Sequence, residues 1–288
     1  MANLASWREA VWAMLPPAWQ TRLRDNFVQR CIAGVILTVV SLWAVWGTPD
    51  IFPLYIWIFI LVAVREWQRM TEPGNWHETV HYLYSVILLL AIVQMLFGTA
   101  AALAVLVILP FLLWLVGAQI TVRHPVWFAL SPLYLAPSAL AIIHIHEGFT
   151  IGPAAVTYFF GVVWATDTAA YLIGRQMGGS LLAADISPKK TWSGFIGGLV
   201  AGVIVGSLVG IALDTGNFFE TILVSAVLSV AAQASDLAQS AIKRYFSIKD
   251  TGGVIPGHGG VLDRIDSIML SAPLYAAMQY LARHPLPW

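Results

Sequence analysis

Residues that could do chemistry concentrate in two polar stretches, Asp167 to Gly194 and Ser235 to Ser267. The second opens with SDLAQSAIKR, where Asp236, Ser240 and Lys243 recur at i, i+4 and i+7 and share one face of a helix. In the YFSIKDTGGVIPGHGG that follows, Gly252, Gly253, Gly257, Gly259 and Gly260 remove side chains and let backbone N–H groups approach a ligand, which suits phosphate. VLDRIDS then places Asp263 and Asp266 three apart, so both carboxylates can point the same way. Oxygen-only ligands of this kind select a hard cation such as Mg²⁺, held by one or two carboxylates plus substrate phosphates. The first stretch reads DTAAYLIGRQMGG and then ISPKKTWSGF. Ser187 followed by Pro188 is a helix-start signal, which predicts Lys189 and Lys190 at a helix N-terminus, where free N–H groups and the dipole favour an anion. Together the stretches describe a site for a polyphosphate and a metal.

The elements that must position them are membrane helices. Of 288 residues, 59% are hydrophobic and only 10% charged, against roughly 25% charged in a soluble domain. Fifteen Lys and Arg balance fifteen Asp and Glu, so no net field recruits nucleic acid. The lone cysteine, Cys31, excludes a disulfide framework and a thiolate metal site. Nine apolar runs read as spans: Cys31 to Trp46, Ile51 to Val64, Tyr82 to Phe97, Thr99 to Val116, Val126 to Ile143, Ile151 to Ala165, Gly194 to Leu213, Phe218 to Ala234, and Ile268 to Leu281. The expected fold is therefore an all-α integral membrane protein, a polytopic bundle of about nine transmembrane helices. Residues 1–29, with Trp7, Trp12, Leu15 and Leu23 among charges, are predicted to form an amphipathic interfacial helix, and residues 30–288 the membrane domain. Arg8, Glu9, Arg22, Arg24 and Asp25 precede the first apolar run, which argues against a cleavable signal.

With the N-terminus inside, every Lys and Arg except Arg283 falls on the cytoplasmic side, and so do both polar stretches. Most tryptophans near span ends read as an aromatic belt. His144, His146 and Glu147 fall on the outer side and read as an ordinary polar loop, since HIHE supplies no complete ligand set. Gly194, Gly198, Gly202, Gly206 and Gly210 recur every four residues and predict a close-packing helix face.

SAIKRYFSIKDTGGVIPGHGGVLDRIDS, Ser240 to Ser267, resembles the signature of the phosphatidate cytidylyltransferase, or CDP-diacylglycerol synthase, family of integral membrane enzymes. The resemblance extends back through SPKKTW and DTAAYLIGR and covers about the C-terminal 125 residues; the N-terminal half agrees only in hydropathy. It implies reaction of CTP with phosphatidic acid to give CDP-diacylglycerol and pyrophosphate with Mg²⁺, with or without a second cation. It further implies a homodimer in a bacterial inner membrane, and a metal between Asp236 and Asp263. Where the family has Gly-Asp-Leu followed by Glu-Ser, this chain has Ser235 and Gln239.

The residue types suit that reaction, because both reactants are anions and the barrier is largely charge repulsion and charge on the leaving group. Asp236 and Asp263 are assigned to the metal, and Lys243, Arg244, Lys249 and Arg264 to phosphates. Asp250 and Asp266 orient these cations or hold metal-bound water. His258 either assists proton movement, binds phosphate or makes a loop hydrogen bond. Ser187, Lys189, Lys190 and Thr191 are assigned to the nucleotide or the lipid headgroup, and Ser240, Gly257, Gly259, Gly260, Asp167 and Arg175 to substrate binding. Two other readings stay open at this point. A secondary transporter would also bury carboxylates but predicts an internal repeat, and the two halves show no convincing equivalence. Another CTP-dependent or prenol-directed membrane transferase is the closer rival.

Overall fold

The computed structural model describes residues 26–148, 152–213, 217–254 and 259–281. The predicted interfacial segment 1–29 falls almost wholly outside them, as do Gly257, His258 and Arg283. Among the described residues there are nine helices: α1 Asn26–Trp46, α2 Ile51–Thr71, α3 Trp76–Phe97, α4 Thr99–Gly117, α5 Pro125–Gly148, α6 Gly152–Met177, α7 Trp192–Ala212, α8 Phe218–Tyr245 and α9 Ile268–Leu281. Seven, α2 to α8, are long and apolar enough to cross a membrane. Among the described residues α1 contributes a shorter apolar stretch, Gly34–Trp46, and the described part of α9 has 14 residues, against the roughly 20 of a full span. Gly98 adopts φ 82 between α3 and α4, a left-handed conformation that glycine tolerates without a Cβ penalty, and divides the long apolar run in two.

Several helices outrun their apolar cores. α6 continues past Ala165 to carry Asp167, and α8 continues past Ala234 to carry Asp236 and Lys243. This extension brings chemistry-bearing residues onto rigid helical ends rather than onto loops. α5 is the most buried of the seven candidate spans and packs against α2, α4, α6 and α9.

The only strands among the described residues form an antiparallel hairpin, β1 Leu181–Ala183 with β2 Ser187–Thr191, paired Leu181 to Thr191 and Ala183 to Ser187. It corrects the sequence expectation for Ser187 and Pro188, which lie in β2 and do not start a helix. Hairpin pairing takes up the backbone that a helical first turn would have used. The cap falls instead to Thr191, whose Oγ1 accepts from Gly194 N at 3.2 Å, so α7 begins at Trp192. Lys189 and Lys190 therefore precede the helix on a strand.

The glycine face of α7 is buried within this chain, against α6 and α8. A Cβ on Gly194 would lie 2.7 Å from Ala170 O and one on Gly198 2.9 Å from Thr166 O, while one on Gly202 would collide with Thr166 Oγ1. Ser and Thr hydroxyls complete the seam: Thr166 Oγ1 donates to Ser229 Oγ at 2.9 Å. Ile196, Val200, Ile204 and Leu208 on the other face are exposed. Gly202→Leu should therefore cost more than the ~3 kcal/mol typical of overpacking, read as a lowered detergent thermal midpoint, whereas Val200→Leu should leave it unchanged. Equal midpoints would refute the close approach.

Candidate active site

The extended ends of α6 and α8, the hairpin, the start of α7 and the 259–267 turn enclose a cavity of about 710 Å³. Of the residues singled out from the sequence, Asp167, Arg175, Ser187, Lys189, Lys190, Thr191, Asp236, Asp263, Arg264 and Asp266 line it. Two segments more than 40 residues apart thus meet in one place, and cations face carboxylates across it. Ser240, Lys243, Arg244, Lys249 and Asp250 are not in the lining.

Two ion pairs organise the carboxylates. Lys190 Nζ lies 2.7 Å from Asp236 Oδ2, both side chains being partly exposed to the cavity. Lys243 Nζ donates to Asp263 Oδ1 at 2.8 Å, with both side chains buried. Lys243, expected on a phosphate, is thus committed to a carboxylate. Asp263 Oδ2 accepts from Thr251 N at 2.9 Å, Thr251 Oγ1 at 3.1 Å and Gly260 N at 3.3 Å. Burial pushes the Asp263 carboxyl up, but the Lys243 hydrogen bond and charge and the two backbone N–H groups outweigh it and hold it below the usual range.

Asp266 behaves oppositely. Loss of surrounding water pushes its carboxyl well up, and the charges of Asp236 and Asp167 add to this. Its Oδ1 accepts from Ser267 N at 3.0 Å, and Ser267 Oγ donates to Asp167 Oδ2 at 2.7 Å. The sign of the pH effect follows. Because Asp266 binds its proton more tightly folded than unfolded, where carboxyls titrate near ~3.9, stability falls as pH rises through the window above that value. Asp266→Asn keeps the Ser267 contact and removes the repulsion. In buffer free of divalent cations it should unfold at a higher temperature than wild type at neutral pH, and the gap should close on acidification. A lower midpoint at neutral pH would contradict the assignment.

Of the predicted residues outside the lining, Arg244 is tied to the scaffold. Arg244 donates through Nε to Ile186 O at 3.2 Å and through Nη1 to Ile248 O at 3.0 Å, tying the hairpin to the turn after α8. Lys249 and Asp250 are exposed. Ser235 Oγ donates to Asp266 O and accepts from Leu270 N at 3.0 Å, stapling α8 to the first turn of α9. Gln239 Oε1 accepts from the Tyr134 hydroxyl of α5. The two departures from the family pattern are therefore both occupied in packing.

Sequence reasoning missed Glu66 on α2, which is 2% exposed and whose carboxylate accepts from Val261 N and Leu262 N. The available signal was a carboxylate inside an apolar helix, a costly placement. It also missed an adjoining cavity of about 520 Å³, walled by apolar side chains such as Leu37, Ile56, Phe59 and Trp164, that shares Asp167 and Arg264 with the polar one.

The donor chemistry fits a hard divalent cation. Among the described residues the cavity offers carboxylate oxygens and neither His nor Cys. Among the described residues no three His, Cys, Asp or Glu form an all-protein cage. Mg²⁺ usually takes one or two carboxylates and completes its shell with waters and substrate phosphates. Asp263 Oδ1, with one hydrogen-bond donor, keeps a lone pair for such a bond; Oδ2, already met by the N–H groups of Thr251 and Gly260 and faced by the Thr251 hydroxyl, does not.

The sequence profile of the Cytidylyltransferase family matches residues 28–282. A phosphatidate cytidylyltransferase of Brucella suis is 32% identical over 250 residues, 87% of this chain and 92% of that protein. One of Rickettsia bellii is 38% identical over 156 residues, 52% of this chain and 68% of that protein. One of Staphylococcus haemolyticus is 48% identical over 120 residues, 41% of this chain and 46% of that protein.

Proposed function

The chain belongs to the Cytidylyltransferase family, and from that premise we propose that it transfers CMP from CTP to phosphatidic acid, giving CDP-diacylglycerol and pyrophosphate. The observation that carries the reading is the junction of two unlike cavities. A polar one holds cations and carboxylates, an apolar one adjoins it, and Asp167 and Arg264 belong to both. A nucleoside triphosphate needs the first, an acyl chain needs the second, and the reacting phosphates would meet where they join.

Lys189, Lys190, Arg175 and Arg264 supply positive charge around two anionic reactants, which lowers their mutual repulsion and stabilises the departing pyrophosphate. A phosphatidate oxygen forms the new bond to the α-phosphorus of CTP as the bond to pyrophosphate breaks. The monoester is ionised near neutral pH, so no protein base is required. Asp236 and Asp263 would hold Mg²⁺, with or without a second cation, which when bound neutralises charge developing on the phosphates. Lys190, paired with Asp236, and Lys243, paired with Asp263, keep both carboxylates oriented. The site faces the cytoplasm of a bacterial inner membrane, where CTP is found, and the enzyme works as a homodimer.

Labelled CTP offered with a lipid panel tests this. Phosphatidic acid should yield CDP-diacylglycerol, while diacylglycerol and prenols should yield nothing. Transfer to a prenol in preference to phosphatidic acid would favour the other membrane transferases.

A further inference from the structure

Glu66 lies on α2, a helix that contributes nothing to the lining of the polar cavity, and the transfer chemistry above makes no use of it. Its carboxylate nevertheless reaches the far end of the chain. Oε1 accepts from Val261 N at 3.0 Å, and Oε2 accepts from Leu262 N at 2.8 Å and from Thr251 Oγ1 at 3.2 Å. All three donors are uncharged. Gly252 and Gly260 close against the same group: a Cβ on Gly252 would lie 2.7 Å from Oε1, and one on Gly260 2.5 Å from Oε2. Two glycines of the glycine-rich loop thus admit a carboxylate of the protein itself.

A buried carboxylate is an expensive way to join a helix to a turn, since apolar contacts would do so without the desolvation cost. What it adds is direction, because charge-assisted hydrogen bonds to consecutive N–H groups fix the orientation of two peptide planes. Val261 and Leu262 immediately precede Asp263 and Arg264, both of which line the cavity. Thr251 strengthens the link: its single hydroxyl proton stands between Glu66 Oε2 and, at 3.1 Å, Asp263 Oδ2, and can serve only one at a time. We infer that Glu66 is a positioning residue for CMP transfer, an internal anion that anchors the 259–262 turn and aims Asp263 and Arg264 into the cavity. The geometry stands without the functional reading; its expression in turnover rests on it.

The test uses the full chain with Glu66→Gln, which keeps volume and removes the charge, and two readouts. Amide hydrogen exchange across 259–263 should accelerate while α8 and α9 exchange as in wild type. Turnover per folded molecule should fall by ~100-fold, the scale of an ångström misplacement, with the KM for CTP changed by less than about threefold. Glu66→Asp, one methylene shorter but charged, should recover part of the turnover. If Glu66→Gln does not fold, Glu66→Asp carries the same two expectations at about a tenfold loss. Wild-type turnover in the variant that folds would overturn the inference. So would exchange accelerated throughout α8 and α9, which would mark a purely structural role. A wild-type protein that transfers no CMP to phosphatidic acid would fail the functional reading instead, and exchange across 259–263 would still report on the anchor.

Discussion

Asp263→Asn is expected to lower turnover by ~10³-fold, the scale on which removal of one preorganised charge-stabilising group acts. The geometry explains why the nearest isostere is not tolerated. Lys243 donates to one carboxylate oxygen, while Thr251 and Gly260 donate to the other. An asparagine must turn its NH₂ toward one of these donor sets whichever way it flips, leaving buried donors opposed at a cost of about 1–3 kcal/mol. The stability loss should be full at neutral pH. It should shrink as pH falls below the unfolded carboxyl value of ~3.9 and through the depressed folded value, where wild type too loses the charge. Turnover per folded, inserted molecule, measured at saturating and at limiting Mg²⁺, checks the chemistry separately. Near-normal synthesis at limiting Mg²⁺ would remove Asp263 from the metal.

The second large effect is at Lys243. From the sequence it stood as a phosphate contact, whose loss would raise the CTP requirement. In the structure it belongs to Asp263, and its side chain is only 10% exposed. Lys243→Ala should cost about 3–5 kcal/mol of stability, the usual consequence of leaving one member of a buried pair uncompensated, and should depress turnover more than it raises the KM for CTP. The two residues act as a unit, so Lys243→Ala combined with Asp263→Asn should be no worse than the worse single variant, in both thermal midpoint and turnover. Additive losses would show that Lys243 also acts independently, on the substrate.

Much of the fold was legible because hydropathy registers each residue's own preference for lipid, and a membrane helix satisfies its backbone within itself. The helix positions, the division at Gly98 and the glycine face of α7 needed no knowledge of partners. The gathering of Asp236, Asp263 and Asp266 was also legible, since charge is rare in this chain and its clusters stand out. What stayed hidden depends on partners distant in sequence. Glu66 stands out locally only as a carboxylate within an apolar helix, and the donors that explain it lie 185 to 196 residues away. Ser187 and Pro188 sent a valid local signal that hairpin pairing with Leu181–Ala183 overrode. Arg244 and Lys243 were recognised as important cations, but residue type alone does not distinguish a carbonyl, a carboxylate and a phosphate as the acceptor.

α7 carries a constraint that a polarity scale does not register. Both of its faces are apolar, so nothing in polarity distinguishes the side that meets α6 and α8 from the side that faces outward. The distinction is one of volume: hydrogen atoms alone at Gly194, Gly198, Gly202 and Gly206, branched side chains at Ile196, Val200, Ile204 and Leu208. Insertion into lipid, which responds to hydrophobicity, accepts a leucine on either side. Assembly of the bundle accepts it on only one, so this helix passes two successive filters that read different properties of the same residues.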